Sequence, residues 1–318
     1  MTFLEKLPHI RLICVHDGRF HWDDVLAVAL LRCAGCPAPV IRARDIDAFP
    51  DDGTVLYIDV GGSFDGIAHF DHHQRGSLLR SRYYAPMDDR GETPFCAAGL
   101  LWQVMGHAYG EREGLEGDEL ERFFRKVDQK LIQPADFQDN GICSPLSEAL
   151  TLGEAFAALN SPDLDDKDGQ NCRFEWAARL AAELIGEWFE SIICSLQSER
   201  RVRICLERAV AEGKDYAFIP SGMGGPWRTL IQNDPELWEV TQGLKAVITE
   251  RPSDHTYRIT MMPLSRYDHF ACRYILPKEL KDWYPEVQFI HPNGFTGALT
   301  DLENLDEIMK SLKPNQGV

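Results

Sequence analysis

Asp71, His72 and His73 stand side by side in the stretch FDHHQRGS, Phe70 to Ser77. Two imidazoles and a carboxylate in consecutive positions suit a divalent-cation site. Imidazole nitrogen and carboxylate oxygen together bind manganese, iron or zinc, and magnesium with the help of water. A solvated loop can carry the same triplet by accident. Groups of the same kind lie upstream: His16 follows LICV, His21 and Asp23 lie in the next turn, and Asp59 falls near the end of VLYIDV, just before Gly61 and Gly62. Taken singly, each has an ordinary use as a hydrogen-bonded half-buried histidine, a helix cap or a turn cap. Taken together they point to a site, because ionisable groups seldom collect in one crevice without a chemical task.

The crevice requires strands that end at a common edge. IRLICV (10–15), APVIRAR (38–44) and TVLYIDV (54–60) read as short apolar strands, with GIAHF (66–70) as a weaker fourth. DDVLAVALLRCAG (23–35) reads as a helix between the first two, with Asp23 or Asp24 as its cap and Gly35 as its end. Apolar strands alternating with helices predict a mostly parallel α/β sheet, whose ligand crevice lies at the carboxyl ends of the strands. His16, Asp59 and the Asp71 triplet all follow such ends. Further helices are expected over 92–110, with Thr93 as N-cap and Pro94 as first residue, over 117–132, 147–160 and 172–200, and onward through RVRICLERAVAEG. From 216 the texture changes to strands (YAFIP, LKAVITE, TYRITMMP, EVQFIHP), with a terminal helix in DLENLDEIMKSL.

Composition limits the partners. The chain has 318 residues, is 44% hydrophobic and carries a formal net charge of −17. That length predicts two domains. The acidic balance, with no basic arm, argues against a reader of duplex DNA. Nine cysteines cannot all pair, and the spacing of Cys33 and Cys36 (CAGC) has no second such pair to complete a four-cysteine zinc site, so reduced thiols are expected. No secretory signal is expected at the N-terminus, which carries Glu5, and no apolar run reaches the roughly 18 residues of a membrane span. These features predict an intracellular protein: cytoplasmic in a bacterium, with nucleus or mitochondrion open in a eukaryote.

In order, VHDGRFHWDDVLAVALLR, YIDVGG, FDHHQRGS, AAGLLW and DNGI resemble the Myg (melanocyte-proliferating-gene type) family of the Asp-His-His phosphoesterase superfamily. The resemblance is dense over residues 12–142. It is thinner in the C-terminal FIHPNGFTGAL, where Thr296 and Ala298 replace family residues. It implies an α/β fold with a mostly parallel sheet and flanking helices over 1–205, and a smaller α/β domain on the substrate side over 206–318. It also implies two divalent ions, Mn2+ first, with Mg2+ or Zn2+ open. The metal ligands it implies are His16, His21 (in place of the usual aspartate), Asp23, a bridging Asp59, His72 and one later carboxylate. For that carboxylate ADFQDNG favours Asp136, with Asp139 beside it, while Asp128 reads as a solvated helix-face residue. His73 is then the residue that meets the phosphate, and Asp71 the one that orients an imidazole.

Arg75, Arg80, Arg82 and Arg90 form the nearest basic group to the triplet and are candidates to hold substrate phosphate, or else solvated loop residues. The expected activity is metal-dependent phosphodiester hydrolysis, 3′-to-5′ and exonucleolytic, on single-stranded RNA or short oligonucleotides. Two alternatives stay open: a hydrolase of a small phosphoanhydride such as pyrophosphate, and a non-catalytic protein that retains the metal. A homo-oligomer is also open.

Overall fold

The structure, a computed structural model, describes residues 2–80, 93–142, 150–163, 165–221, 227–268 and 271–315. The chain divides into two compact units, Met1–Ile193 and Cys194–Val318.

The first unit is a parallel sheet covered by helices. Helix α1 (Phe3–Lys6) leads into strand β1 (Leu12–Val15), helix α2 (Trp22–Cys33), β2 (Val40–Arg42), β3 (Val55–Ile58) and β4 (His69–Phe70). The four strands lie in the order β2-β1-β3-β4, all parallel. Strand β3 is buried along its whole length, as a central parallel strand must be. Helix α2 is buried from Trp22 to Leu31, so its apolar residues cover all sides rather than one stripe. Its N-cap is His21, without a side-chain cap bond. Asp23 and Asp24, the caps expected from the sequence, instead lie inside the first turn and are buried.

A short antiparallel pair, β5 (Leu79–Arg80) with β6 (Thr93–Pro94), precedes helix α3 (Ala97–Arg112). Thr93 and Pro94 therefore belong to a strand, not to the helix start expected there. The backbone N–H of Cys96, the N-cap of α3, is taken by the Asp136 carboxylate at 2.8 Å. Helix α4 (Gly117–Val127) continues into a π-helical turn, Asp128–Ile132, and then α5 (Gln133–Asp139). The wide turn breaks the periodicity that a single helix over 117–132 would have, and it carries Asp128 inward. Helix α6 (Leu152–Ala157) follows, and the long α7 (Lys167–Ala211) begins in this unit.

The cysteine pair has no shared chemistry. Cys33 and Cys36 direct their thiols to different carbonyls, those of Ala182 and Leu7. Burial pushes both upward, Cys33 to about 11, so neither is a ready thiolate.

The second unit has a five-stranded sheet in the order β11-β12-β9-β8-β7. Its strands are β7 (Tyr216–Ile219), β8 (Ala246–Arg251), β9 (Thr256–Met261), β11 (Val287–Ile290) and β12 (Thr296–Leu299); β7 and β8 run parallel and the other neighbours antiparallel. One cluster packs Val202, Leu206 and Ala209 of α7 with residues of α8 (Trp227–Asn233) and α9 (Pro235–Val240). Another packs the sheet with α10 (Leu280–Trp283) and α11 (Leu305–Lys310). A small pair, β10 (Tyr274–Ile275) with β13 (Lys313–Pro314), completes the unit. Trp238 belongs to the core, whereas Trp283 is exposed. No described helix is long and apolar enough to cross a membrane.

Candidate metal centre

The carboxyl ends of β1, β3 and β4 deliver His16, Asp59 and the Asp71–His73 triplet to one place. Helix α2 adds His21 and Asp23 from its start, and α5 adds Asp139 from its end. Ligand-atom sets within 4.8 Å of one another are His16–His21–Asp59, Asp59–His72–His73 and His21–Asp23–Asp139. Asp59 belongs to two of the sets. Its Oδ1 lies 3.3 Å from His72 Nε2 and 3.5 Å from His73 Nδ1, while its Oδ2 lies 3.5 Å from His16 Nε2. The residue has φ +53°, a left-handed conformation that costs a non-glycine residue on the order of 1 kcal/mol or more and is concentrated at functional sites. Its N–H donates to the Phe70 carbonyl, which pins it between the two strand ends.

The adjacent histidines are held differently. His72 Nε2 lies 3.1 Å from Asp139 Oδ2, and its side chain is largely covered. His73 Nδ1 pairs with Asp71 Oδ1 at 2.7 Å, and its side chain is 63% exposed. Asp71 is itself buried and accepts from the N–H of Gly62 and of His73, so it sets the imidazole without facing the other ligands. His16 donates from Nδ1 to the Asp17 carbonyl, leaving Nε2 toward Asp24, at 2.9 Å, and Asp59.

Several of these atoms are buried and make no well-aligned hydrogen bond beyond the close pairs just given: His16 Nε2, both oxygens of Asp23, Asp24 Oδ2, Asp59 Oδ1 and His72 Nε2. Among the described residues they converge on one location. Unpaired buried carboxylate oxygens are costly, and a cation is the partner that removes the cost. The electrostatics agree. Burial, with the charges of Asp59, Asp139 and Asp24, holds Asp23 far above the carboxylate range. Burial raises Asp139 as well, with Asp59 adding to it against His72. Burial opposes the charged form of His16, but Asp24 outweighs it and pushes His16 up to about 9. His72 is raised in the same way, burial being overcome by Asp59 and Asp139. Positive charge is thus favoured in this cluster, and against its burial Asp59 is held below the usual carboxylate range by His72 and His16. The oxygen and imidazole donors fit divalent ions, and no cysteine is among them.

The site opens into a cleft of about 840 Å³ lined by the ligand histidines, Asp59, Asp71, Asp139, Asn140 and two cations, Arg19 and Arg44. Both arginines are exposed, and Arg44 is held by Asp17 at 2.6 Å. They were not among the cations expected from the sequence. The available pointer was position: Arg19 lies four residues past the end of β1 and Arg44 two past the end of β2.

Three expectations are corrected. Asp136 is not in the cluster; it is fully buried, pairs with Arg80 and takes the Cys96 N–H. Arg80 is not a phosphate ligand, since it is buried between Asp136 and Asp128. Asp128 is not solvated: both its oxygens receive Arg80 N–H bonds at 2.7 Å. Asp139 takes the place expected for Asp136. Arg75 is exposed but does not line the cleft, and Arg82 and Arg90 lie outside the described residues.

A family model, MYG1_exonuc, described as an uncharacterised protein family (UPF0160), matches residues 12–311. A MYG1 protein of Schizosaccharomyces pombe is 27% identical over 94% of this chain and 96% of its own length. A Homo sapiens protein named MYG1 exonuclease is 27% identical over 90% of this chain and 81% of its own. Among solved structures, the pGpG-specific phosphodiesterase PggH of Vibrio cholerae is 11% identical, with TM-score 0.29 over 95% of this chain and 97% of that one. RecJ of Thermus thermophilus in complex with Mn2+ is 13% identical, with TM-score 0.26 over 97% and 52%. Those two likenesses are too remote to bear on the site. The family match spans nearly the whole chain and includes every candidate ligand position: the chain belongs to the MYG1 family (UPF0160).

Proposed function

We propose that this chain is a metal-dependent phosphodiesterase that removes nucleotides from an end of single-stranded RNA or short oligonucleotides, with 3′-to-5′ polarity. The observation that carries the reading is the set of buried imidazole and carboxylate atoms that converge around Asp59, in a cleft also lined by two arginines. The name exonuclease given to the human and cattle relatives accords with cleavage at an end.

His16, His21, Asp23, Asp59, His72 and Asp139 would hold two divalent ions, Mn2+ foremost, Asp59 being common to two of the ligand-atom sets. Such a pair lowers the pKa of bound water and offsets charge on phosphoryl oxygens. The protein's own groups do the rest. Arg19 and Arg44 hold the phosphate that enters the cleft, through charge-assisted hydrogen bonds. Asp71 fixes Nδ1 of His73, which leaves Nε2 to meet the phosphate or the departing oxygen. Asp59, fixed by its backbone bond, keeps the metal side in register with that imidazole.

The net charge of −17 disfavours long tracking along a polyanion, so recognition would be confined to a few terminal nucleotides. A hydrolysis panel tests this. Purified protein is given linear RNA, circular RNA, single-stranded DNA, dinucleotides and pyrophosphate, each with manganese, magnesium or zinc. The expected result is mononucleotides or very short products from linear RNA with manganese, shallow salt dependence and intact circular RNA. Cleavage of the circle sinks the end-directed reading. Hydrolysis of pyrophosphate alone replaces it with the phosphoanhydride activity, and no hydrolysis of any substrate favours a binding protein.

A further inference from the structure

Outside the cleft, the most unusual cluster is a buried triad of one cation and two anions. Arg80 of β5, Asp128 of the π-helical turn and Asp136 of α5 are each at least 97% buried. Arg80 places Nη1 and Nη2 on the two Asp128 oxygens at 2.7 Å each and gives Nε to Asp136. The desolvation of three charges rarely repays itself in stability, because apolar residues of similar volume would fill the space at lower cost. The arrangement therefore requires another use, and its connections indicate one.

Asp136 also takes the N–H of Cys96, which starts α3, at 2.8 Å. Its close approach depends on Gly99, where a Cβ would stand 2.3 Å from Asp136 Oδ1. One turn further along α5, Asn140 donates to the Pro94 carbonyl at 3.0 Å and to the Asp136 carbonyl at 2.8 Å. The end of α5 is thus tied to β6, to the start of α3 and, through Arg80, to the π turn. Asp139 lies between those two anchors, with its carboxylate 3.1 Å from His72 Nε2.

We propose that Arg80 is a positioning residue: by holding Asp128 and Asp136 together it fixes the end of α5, and so places the Asp139 carboxylate for the ion shared with His21 and Asp23. The inference rests on the proposed metal-dependent function. Arg80 touches neither ion nor substrate in it. Its fork carries the orientation, since one guanidinium spans two carboxylates on different elements and a lysine offers no such planar pair.

Manganese binding to the full-length protein, measured by calorimetry, tests the idea apart from activity. Wild type is expected to bind two ions. Arg80→Lys and the milder Asp128→Asn should weaken one of them by about 10–100-fold, the usual effect of losing a group that orients a ligand, and leave the other unchanged. In the Asp139→Asn background the same substitutions should add little, because their effect passes through that carboxylate. Amide exchange in metal-free Arg80→Lys should be faster at residues 136–140 and unchanged in the second unit. If Arg80→Lys and Asp128→Asn lower only the melting temperature, with both manganese affinities kept, the triad is merely structural and the inference fails. If the substitutions weaken binding equally with and without Asp139, the path through Asp139 is wrong. If wild type binds no manganese, the proposed function fails first and takes this inference with it.

Discussion

Asp71 holds His73 through Nδ1 at 2.7 Å. The neighbouring ring of His72, in contrast, is turned to Asp59 and Asp139. Consecutive backbone positions thereby serve different partners. His72→Ala should lose bound manganese and turnover together. His73→Ala should keep most of the metal while losing catalysis. Metal content by elemental analysis, set beside rate, distinguishes the two; equal metal loss in both variants would end the division of labour.

Asp59→Asn should abolish turnover and lower bound metal with the fold intact. Asparagine tolerates the left-handed backbone that Asp59 adopts, so the change removes charge without adding strain. Circular dichroism checks the fold. A variant with wild-type rate would rule out a bridging role for Asp59.

Asp139→Ala should cost metal binding and orders of magnitude in rate, at little cost in stability. Asp136→Ala should do the reverse in emphasis, unfolding more easily by about 3 kcal/mol because it leaves a buried cation short of a partner. Urea denaturation of the metal-free proteins reads the difference. Comparable stability in the two variants would mean that the triad contributes less than its burial implies.

The cluster also sets a pH dependence for the metal-free protein. His16 is raised from an ordinary 6.5 to about 9 despite its burial, because Asp24 favours the imidazolium. A raised histidine stabilises the fold fully below its ordinary value, and that stabilisation is lost as pH climbs through about 9. Melting temperature without metal should therefore fall between pH 6.5 and 9, and His16→Ala should flatten that fall. Manganese should reverse the trend, because ligand deprotonation strengthens metal binding as pH rises. A metal-free melting temperature that rises across this window would contradict the assignment.

Arg19→Met and Arg44→Met should each lower kcat/KM by about 10–100-fold, the size expected for a lost hydrogen bond to a charged group. Manganese affinity should stay unchanged. Steady-state kinetics on a short RNA, with calorimetry for the metal, measures both. An unaffected kcat/KM in both variants would move the phosphate contact elsewhere.

Much of this site is legible in the chain. His16, Asp59 and His72 each follow a short apolar run, and a parallel sheet gathers such ends without help from any local motif. The choice between Asp136 and Asp139 is not legible, because residues three apart on a helix share a face and either could point at the metals. The π turn compounds the difficulty by reversing the exposure expected of Asp128. Arg80 misleads by its nearness in sequence to His73, since β5 carries it into the interior. Arg19 and Arg44 form no cluster in the chain; only the fold sets them on one wall.

The proposed ligands run from position 16 to position 139, on strands and helices that meet only when the first unit is assembled. A fragment ending before α5 lacks Asp139, and with it the set His21–Asp23–Asp139. A nascent chain would therefore emerge through most of that unit before the candidate site is complete, and capture of the ion that needs Asp139 would mark the completion of folding rather than its start. Refolding followed at once by fluorescence and by metal uptake would then show the two signals in sequence, with uptake last.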